Sequence, residues 1–178
     1  MSAIFLRPAH DMDAGRLGAL ITAAVAAHDW KPLLHSAAED IAHAGHMIDR
    51  GWITVAEDET GQITGFISRD GTYVHALFIA EAAQGAGVGS ALLDHAKTQA
   101  DQLDLWTFVA NRGARRFYKR SGFSEVERGD GSGNEEGLPD IHLLWEKPKV
   151  DAPTKDAPVD KTDAVEKTDR VELEDAHD

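Results

Sequence analysis

The chain has 178 residues, 18 Lys and Arg against 31 Asp and Glu, a formal net charge of −13 and no cysteine. That length holds one domain and an appendage, 42% hydrophobic residues exclude wholesale disorder, and the missing cysteine excludes disulfides, thiolate metal sites and a thiol nucleophile; no metal is expected. Apolar runs such as residues 23–27 and 76–80 fall short of a membrane span, Arg7, His10, Asp11 and Asp13 break any signal-peptide core, and the acidic balance lacks a nucleic-acid footprint, so the sequence predicts a soluble cytoplasmic protein.

In chain order, residues 4–7 form a short apolar stretch that reads as an edge strand. Asp11 is placed to cap a helix reaching about Ala27, with Leu17, Leu20, Ile21 and Val25 on one face. Ser36, followed three residues on by Glu39, is a capping-box signature for a second helix ending near Ile48. Residues 52–56 and 63–68 flank a polar turn containing Gly61 and predict a β-hairpin. A third strand-like run covers residues 72–80 after the Asp70-Gly71 turn. A helix to about Gln99, a strand at 103–109, a helix at 113–120 and strands near 123–127 and 141–146 follow, the last two joined by a glycine-rich loop at 129–139. Hairpins followed by strand–helix–strand predict an α/β (α+β) architecture, a mixed central sheet of six to seven strands with helices on both faces.

The end of the chain differs in kind. Residues 148–178 carry ten acidic and five basic residues, three of the six prolines and no aromatic ring. Such a segment buries too little apolar surface to offset its ordering entropy and predicts a disordered tail. A helix at 163–176, docking through Val165, Val171 and Leu173, is the alternative. The folded domain is therefore expected over residues 1–147, with −8 of the net charge.

The chemistry concentrates at Gln84-Gly85-Ala86-Gly87-Val88-Gly89-Ser90, directly after an apolar strand and directly before a helix. Three glycines in five residues let a ligand approach the backbone closely, and the first turn of a helix offers unpaired N–H groups to a phosphate. A merely tight strand–helix turn has the same look. The dinucleotide fingerprint fails, because Ser90 or Leu92 stands where its third glycine belongs, and the P-loop fails for want of a lysine. The pattern that fits is Gln/Arg-x-x-Gly-x-Gly/Ala, met by Gln84, Gly87 and Gly89. A second segment runs Leu103-Asp-Leu-Trp-Thr-Phe-Val-Ala-Asn111, then Ala114-Arg-Arg-Phe117-Tyr118, then Gly122-Phe123. With both segments in this order, the chain resembles the GNAT superfamily of acyl-CoA N-acyltransferases over about residues 4–147.

The resemblance implies an acetyl-CoA-dependent N-acetyltransferase acting on a primary amine by direct attack in a ternary complex. It implies that backbone groups of Leu77, Phe78 and Ile79 hold the pantetheine arm. The N–H groups across Gln84, Gly85, Ala86, Gly87, Val88, Gly89 and Ser90 would hold the pyrophosphate. Asn111 matches the asparagine that contacts the cofactor arm, and Tyr118 the tyrosine near the thioester sulfur, where a phenol can protonate the departing thiolate. Asn111 also reads as a helix cap and Tyr118 as a core residue. Arg112, Arg115, Arg116 and Lys119 fall along one helix face, and Arg115 is expected to meet the phosphates of CoA; a solvated helix face is the bland reading. Glu81 departs from the family pattern, which commonly has proline there.

No motif transfers the general base. His75 on the strand before the turn is the candidate, with Glu57, His35 and His46 as weaker ones. Asn134, Glu135 and Glu136 in the 129–139 loop would favour a cationic acceptor, either a small amine or a peptide or protein amine. A homodimer is left open. A non-catalytic CoA-binding module, or an interaction protein using its acidic tail, are the competing readings.

Overall fold

A computed structural model describes residues 2–150. Its compact unit ends at Pro148, and the second unit, Lys149–Asp178, is almost wholly outside the described residues. The tail expected at 148–178, with its alternative helix, therefore lies beyond description from position 151 onward.

The elements follow the predicted order: β1 (Phe5–Pro8), α1 (Ala14–Ala26), α2 (Ala37–Asp49), β2 (Ile53–Glu57), β3 (Ile63–Asp70), β4 (Tyr73–Ile79), α3 (Val88–Thr98), β5 (Gln102–Phe108), α4 (Arg112–Arg120), β6 (Ser124–Gly129) and β7 (Asp140–Glu146). The seven strands form one sheet in the order β1-β2-β3-β4-β5-β7-β6. All neighbours are antiparallel except β4 and β5, whose parallel pairing requires a crossover. Helix α3 provides it.

Period-two alternation along the strands divides the apolar residues between two cores. Val55 and Phe66 face Leu17, Leu20 and Met47 of α1 and α2. Their neighbours Ala56 and Ile67 face Leu92 and Leu93 of α3 and Tyr118 of α4. Helices α1 and α2 pack closely because Gly18 has no side chain: a Cβ there would lie 2.5 Å from Cγ1 of Ile41. The chain reaches β6 before β7, yet β7 takes the inner position. The reason is composition, since Ile141, Leu143 and Trp145 of β7 are buried in alternation, whereas β6 is exposed almost throughout. A solvated strand belongs at an edge.

The capping box forms as predicted: Ser36 Oγ accepts from the Glu39 N–H at 3.2 Å, and the Ser36 N–H donates to the Glu39 carboxylate at 2.7 Å. The start of α1 differs. Residues Asp11–Asp13 make a 3₁₀ turn, and Asp13 rather than Asp11 supplies the carboxylate at the helix entrance. Asp13 accepts from the His10 N–H at 2.9 Å and from both terminal nitrogens of Arg7 at 2.8 and 3.1 Å. Arg7 also donates to Glu57 at 2.7 Å, which ties β1, β2 and α1 together. Position 13 wins because it lies beside Arg7 once β1 joins the sheet.

The Arg7 guanidinium holds the Asp13 carboxyl below its ordinary value of 3.8. A depressed folded-state value means the stabilisation is complete above that ordinary value and is lost as pH falls through the folded one. Asp13→Asn should therefore destabilise the protein by about 2 kcal/mol at pH 7. The gap between wild type and variant in urea unfolding should narrow steadily below about pH 4. A gap independent of pH would show that the charge on Asp13 is not what stabilises the entrance of α1.

Candidate functional site

Strands β4 and β5 share a single register pair, Tyr73 with Asp104. Each is fully paired on its outer side, β4 with β3 and β5 with β7. Their C-terminal halves therefore part, and over residues 77–79 β4 has no strand partner on the side of the gap, where Gln84 Nε2 donates to the Ile79 carbonyl at 3.4 Å. A β-bulge places the extra residue His75 between Val74 and Ala76, against Ser68 and Arg69 of β3. Such a bulge bends its strand and increases local twist.

Directly beyond the parted end lies the glycine turn. Gly85 and Gly87 have φ of +76° and +86°, the left-handed region that other residues enter at a cost. A Cβ on either would meet nothing within 4 Å, so their backbone faces open space. Gly87 caps α3, with the Ala91 N–H donating to its carbonyl as the first helical bond. The N–H groups of residues 85–90 take no partner at ordinary hydrogen-bond geometry within the described chain. Gly89 is constrained differently: a Cβ would sit 3.3 Å from Cζ of Phe117 and 3.7 Å from Ile79. Its bareness thus lets α3, α4 and the end of β4 converge. An exposed cradle of free amides at the positive end of a helix fits the pyrophosphate of acetyl-CoA.

Helix α4 contributes the next groups. Asn111 is its N-cap, with Oδ1 accepting from the Ala114 N–H at 3.1 Å. Tyr118 is packed edge-on between Phe117 and Phe123, and burial pushes its phenol far above the ordinary value. Among the described residues its hydroxyl has no hydrogen-bond partner, yet the enclosed side-chain polar atom without one there is Ser68 Oγ alone. The phenol oxygen therefore keeps an opening to solvent while its ring is buried.

The basic face of α4 looks elsewhere than expected. Arg112, Arg115, Arg116 and Lys119 line a groove of about 550 Å³ with Phe123, Ser124, Glu125 and Leu143. No residue of the glycine turn borders that groove. Arg115 itself is committed, donating to the Val109 carbonyl at 3.2 Å and to Glu125 at 3.3 Å. Arg112 and Arg116 have no ion-pair partner among the described residues.

On the opposite side of the sheet, Phe78 of β4 helps line a cavity of about 340 Å³. Its walls are Ile21 and Val25 of α1, the α1–α2 connection from Lys31 to His35, Glu39, Asp40 and His43 of α2, and Glu135 and Glu136 of the β6–β7 loop. His35 and Glu135, a hundred residues apart, share a 2.8 Å hydrogen bond that joins the two loops. Asn134 staples its own loop, donating to the Leu138 carbonyl and to Asp140. Asp40 accepts from the Thr22 hydroxyl at 2.6 Å.

The base candidates are not brought together here. His75 borders neither cavity; its imidazole stacks on Trp52 at 4.4 Å, and burial lowers its pKa. Glu57 is held by Arg7, and His46 lies in the last turn of α2. Lys31 and Phe108, by contrast, were passed over by sequence reasoning. The Lys31 ammonium sits 5.4 Å from the centroid of the Phe108 ring. Lys31 lies in no motif and Phe108 stands inside the second motif segment without a role of its own there, so only the approach of the α1–α2 connection to the end of β5 gives them a shared place.

Residues 49–125 match the acetyltransferase (GNAT) domain family. Peptidyl-lysine N-acetyltransferase YjaB of Escherichia coli is 37% identical over 76 residues, 43% of this chain and 52% of that protein. The 5-NmdU N-acetyltransferase of Pseudomonas phage PaMx11 is 37% identical over 84 residues, 43% of this chain and 59% of that protein. The chain thus spans little more than half the length of these curated relatives. The solution structure of apo YjaB from Escherichia coli is similar with a TM-score of 0.69 and 26% identity, over 82% of this chain and 99% of that one. With its parted β4 and β5 and its glycine turn opening α3, the chain resembles these relatives in fold, and its residues 49–125 match the GNAT acetyltransferase domain.

Proposed function

We propose that the protein transfers the acetyl group of acetyl-CoA to a primary amine by direct attack in a ternary complex. The observation that carries this reading is the free edge of β4 leading into a cradle of unpartnered amides at residues 85–90. Bound there, acetyl-CoA would supply the thioester and a thiolate leaving group. Main-chain groups of Leu77, Phe78 and Ile79 receive the amides of the pantetheine arm as a neighbouring strand would. The turn from Gln84 to Ser90 holds the pyrophosphate, and Asn111 orients the start of α4 beside the arm.

Tyr118 acts as the general acid. Its raised pKa keeps the phenol protonated through neutral pH, so a proton is available where negative charge develops on sulfur. Arg115 serves by bracing α4 against Val109 and Glu125 rather than by meeting phosphate, and Arg112, Arg116, Lys119 and Arg120 are the cations of that helix without an ion pair among the described residues. His75, stacked on Trp52, would act as base only at a distance through water. The cavity beyond Phe78 receives the acceptor. Its carboxylates outnumber its cations, which favours an ammonium group over an anion. The named activity of YjaB supports a lysine side chain as the acceptor, and a small cationic amine fits the same charge.

Three outcomes test this. Acetyl-CoA should bind by calorimetry, and Gly87→Val, which forces a branched residue to φ +86°, should weaken binding by about tenfold or more; absence of binding to the unaltered protein sinks the reading. Tyr118→Phe should lower amine-dependent thiol release roughly 10²–10⁴-fold with little change in acetyl-CoA affinity, whereas His75→Gln should cost less than about threefold. A large loss in His75→Gln would restore it as the base. Glu136→Gln should raise KM for a cationic amine several-fold at low salt and less at high salt, and an unchanged KM would remove the acidic cavity from acceptor recognition.

A further inference from the structure

The acceptor cavity already holds an amine. Lys31 lies on the connection between α1 and α2 and lines the cavity together with Phe78. Along β5, Leu103 and Leu105 face the α3–α4 core. Phe108, at odd spacing from them, projects to the other side, as Phe78 does from β4. The two rings thus stand on the same side of the sheet, at the ends of the two strands that part. The Lys31 ammonium lies over the second of them at 5.4 Å, an arrangement of cation on aromatic face. No hydrogen bond or ion pair ties Nζ within 4 Å among the described residues.

The other described lysines have different surroundings. Lys97 lies over the Phe123 and Trp145 rings, Lys119 lines the basic groove on the far side of α4, Lys147 stands 4.0 Å from Asp101, and Lys149 is exposed. Only Lys31 among them borders the acceptor cavity. Burial lowers its pKa, opposed by Glu136 and Asp40, which leaves more of the free base at neutral pH than an exposed lysine has.

We propose that Lys31 is a substrate of its own site, acetylated within the same molecule by bound acetyl-CoA. This rests on the transferase reading above. The neutral Nζ attacks the thioester carbonyl; a C–N bond forms and the C–S bond breaks. The thiolate takes a proton from Tyr118, and the proton lost by nitrogen passes through water to restore the phenol. No oxidant, reductant or further reactant is needed. The product is an uncharged amide that fills the cavity and removes its one lysine cation. Self-acetylation would thus mark and slow a molecule charged with acetyl-CoA when no external amine is present.

The test uses the full chain and acetyl-CoA without added amine, with the lysines mapped by peptide mass spectrometry over time. Lys31 should gain an acetyl group at least about tenfold faster than Lys97, Lys119 and Lys147, the advantage expected of a positioned reactant. Its rate per molecule should not change on dilution, and Tyr118→Phe should slow it. In a second readout that needs no turnover, CoA lacking the acetyl group should protect Lys31, but not Lys147, from reductive methylation. Labelling of Lys31 at the pace of the other lysines, a rate that falls on dilution, or no protection by CoA would each overturn the proposal. If thiol release with an amine panel is normal while Lys31 stays unmodified, self-acetylation fails and the transferase reading stands. If acetyl-CoA neither binds nor turns over, both fall.

Discussion

Two parallel strands that touch at one residue pair leave a row of backbone groups without partners. In this protein β4 and β5 meet only at Tyr73 and Asp104, while β3 and β7 satisfy their outer edges in full. Main-chain donors and acceptors inside a fold demand partners. The inner edge of β4 therefore has a chemical need that a ligand bearing amides in extended form can meet. The surroundings follow from that gap. Helix α3 must cross from the end of one strand to the start of the other, which brings its N-terminal amides to the mouth. Gly89 lets Phe117 of α4 close in from one side, and the α1–α2 connection carries Lys31 over Phe108 from the other.

The same geometry divides the charge. The α3–α4 side presents neutral amides and a helix dipole to an anionic ligand, while the free arginines of α4 face a separate groove toward β6. The α1–α2 side gathers carboxylates from α2 and from the β6–β7 loop, drawn together by the His35–Glu135 hydrogen bond. A sheet one residue thick stands between them. On the proposed reading, reactants of opposite charge approach from opposite faces and meet where the strands part, on the side where Lys31 stands among the carboxylates.

Much of the fold was legible because its signals are local. The Ser36 and Glu39 box, the hairpin around Gly61 and the periodic faces of α1 and α3 depend on neighbours within a few residues. The glycine turn was legible for the same reason, since positive φ at Gly85 and Gly87 is a property of the backbone itself. Long-range partners were not. Nothing near Asp11 or Asp13 says which one will meet Arg7, and nothing near Arg115 says that Glu125 will hold it. His75 looked available on its strand, and only the bulge and the ring of Trp52 show how it is occupied.

The sequence by itself determined the element order, the two-sided burial of the sheet, the glycine turn that opens α3 and a family resemblance carried by short motifs. These rest on periodicity and on residues whose conformational limits travel with them. Tertiary structure decided that β7 would lie inside β6, that β4 and β5 would part, that the basic face of α4 would turn toward β6 and that Lys31 would share a cavity with Phe78. Each of those outcomes is a competition for burial and for backbone partners among segments far apart in the chain, and such a competition is settled only when the whole sheet has closed.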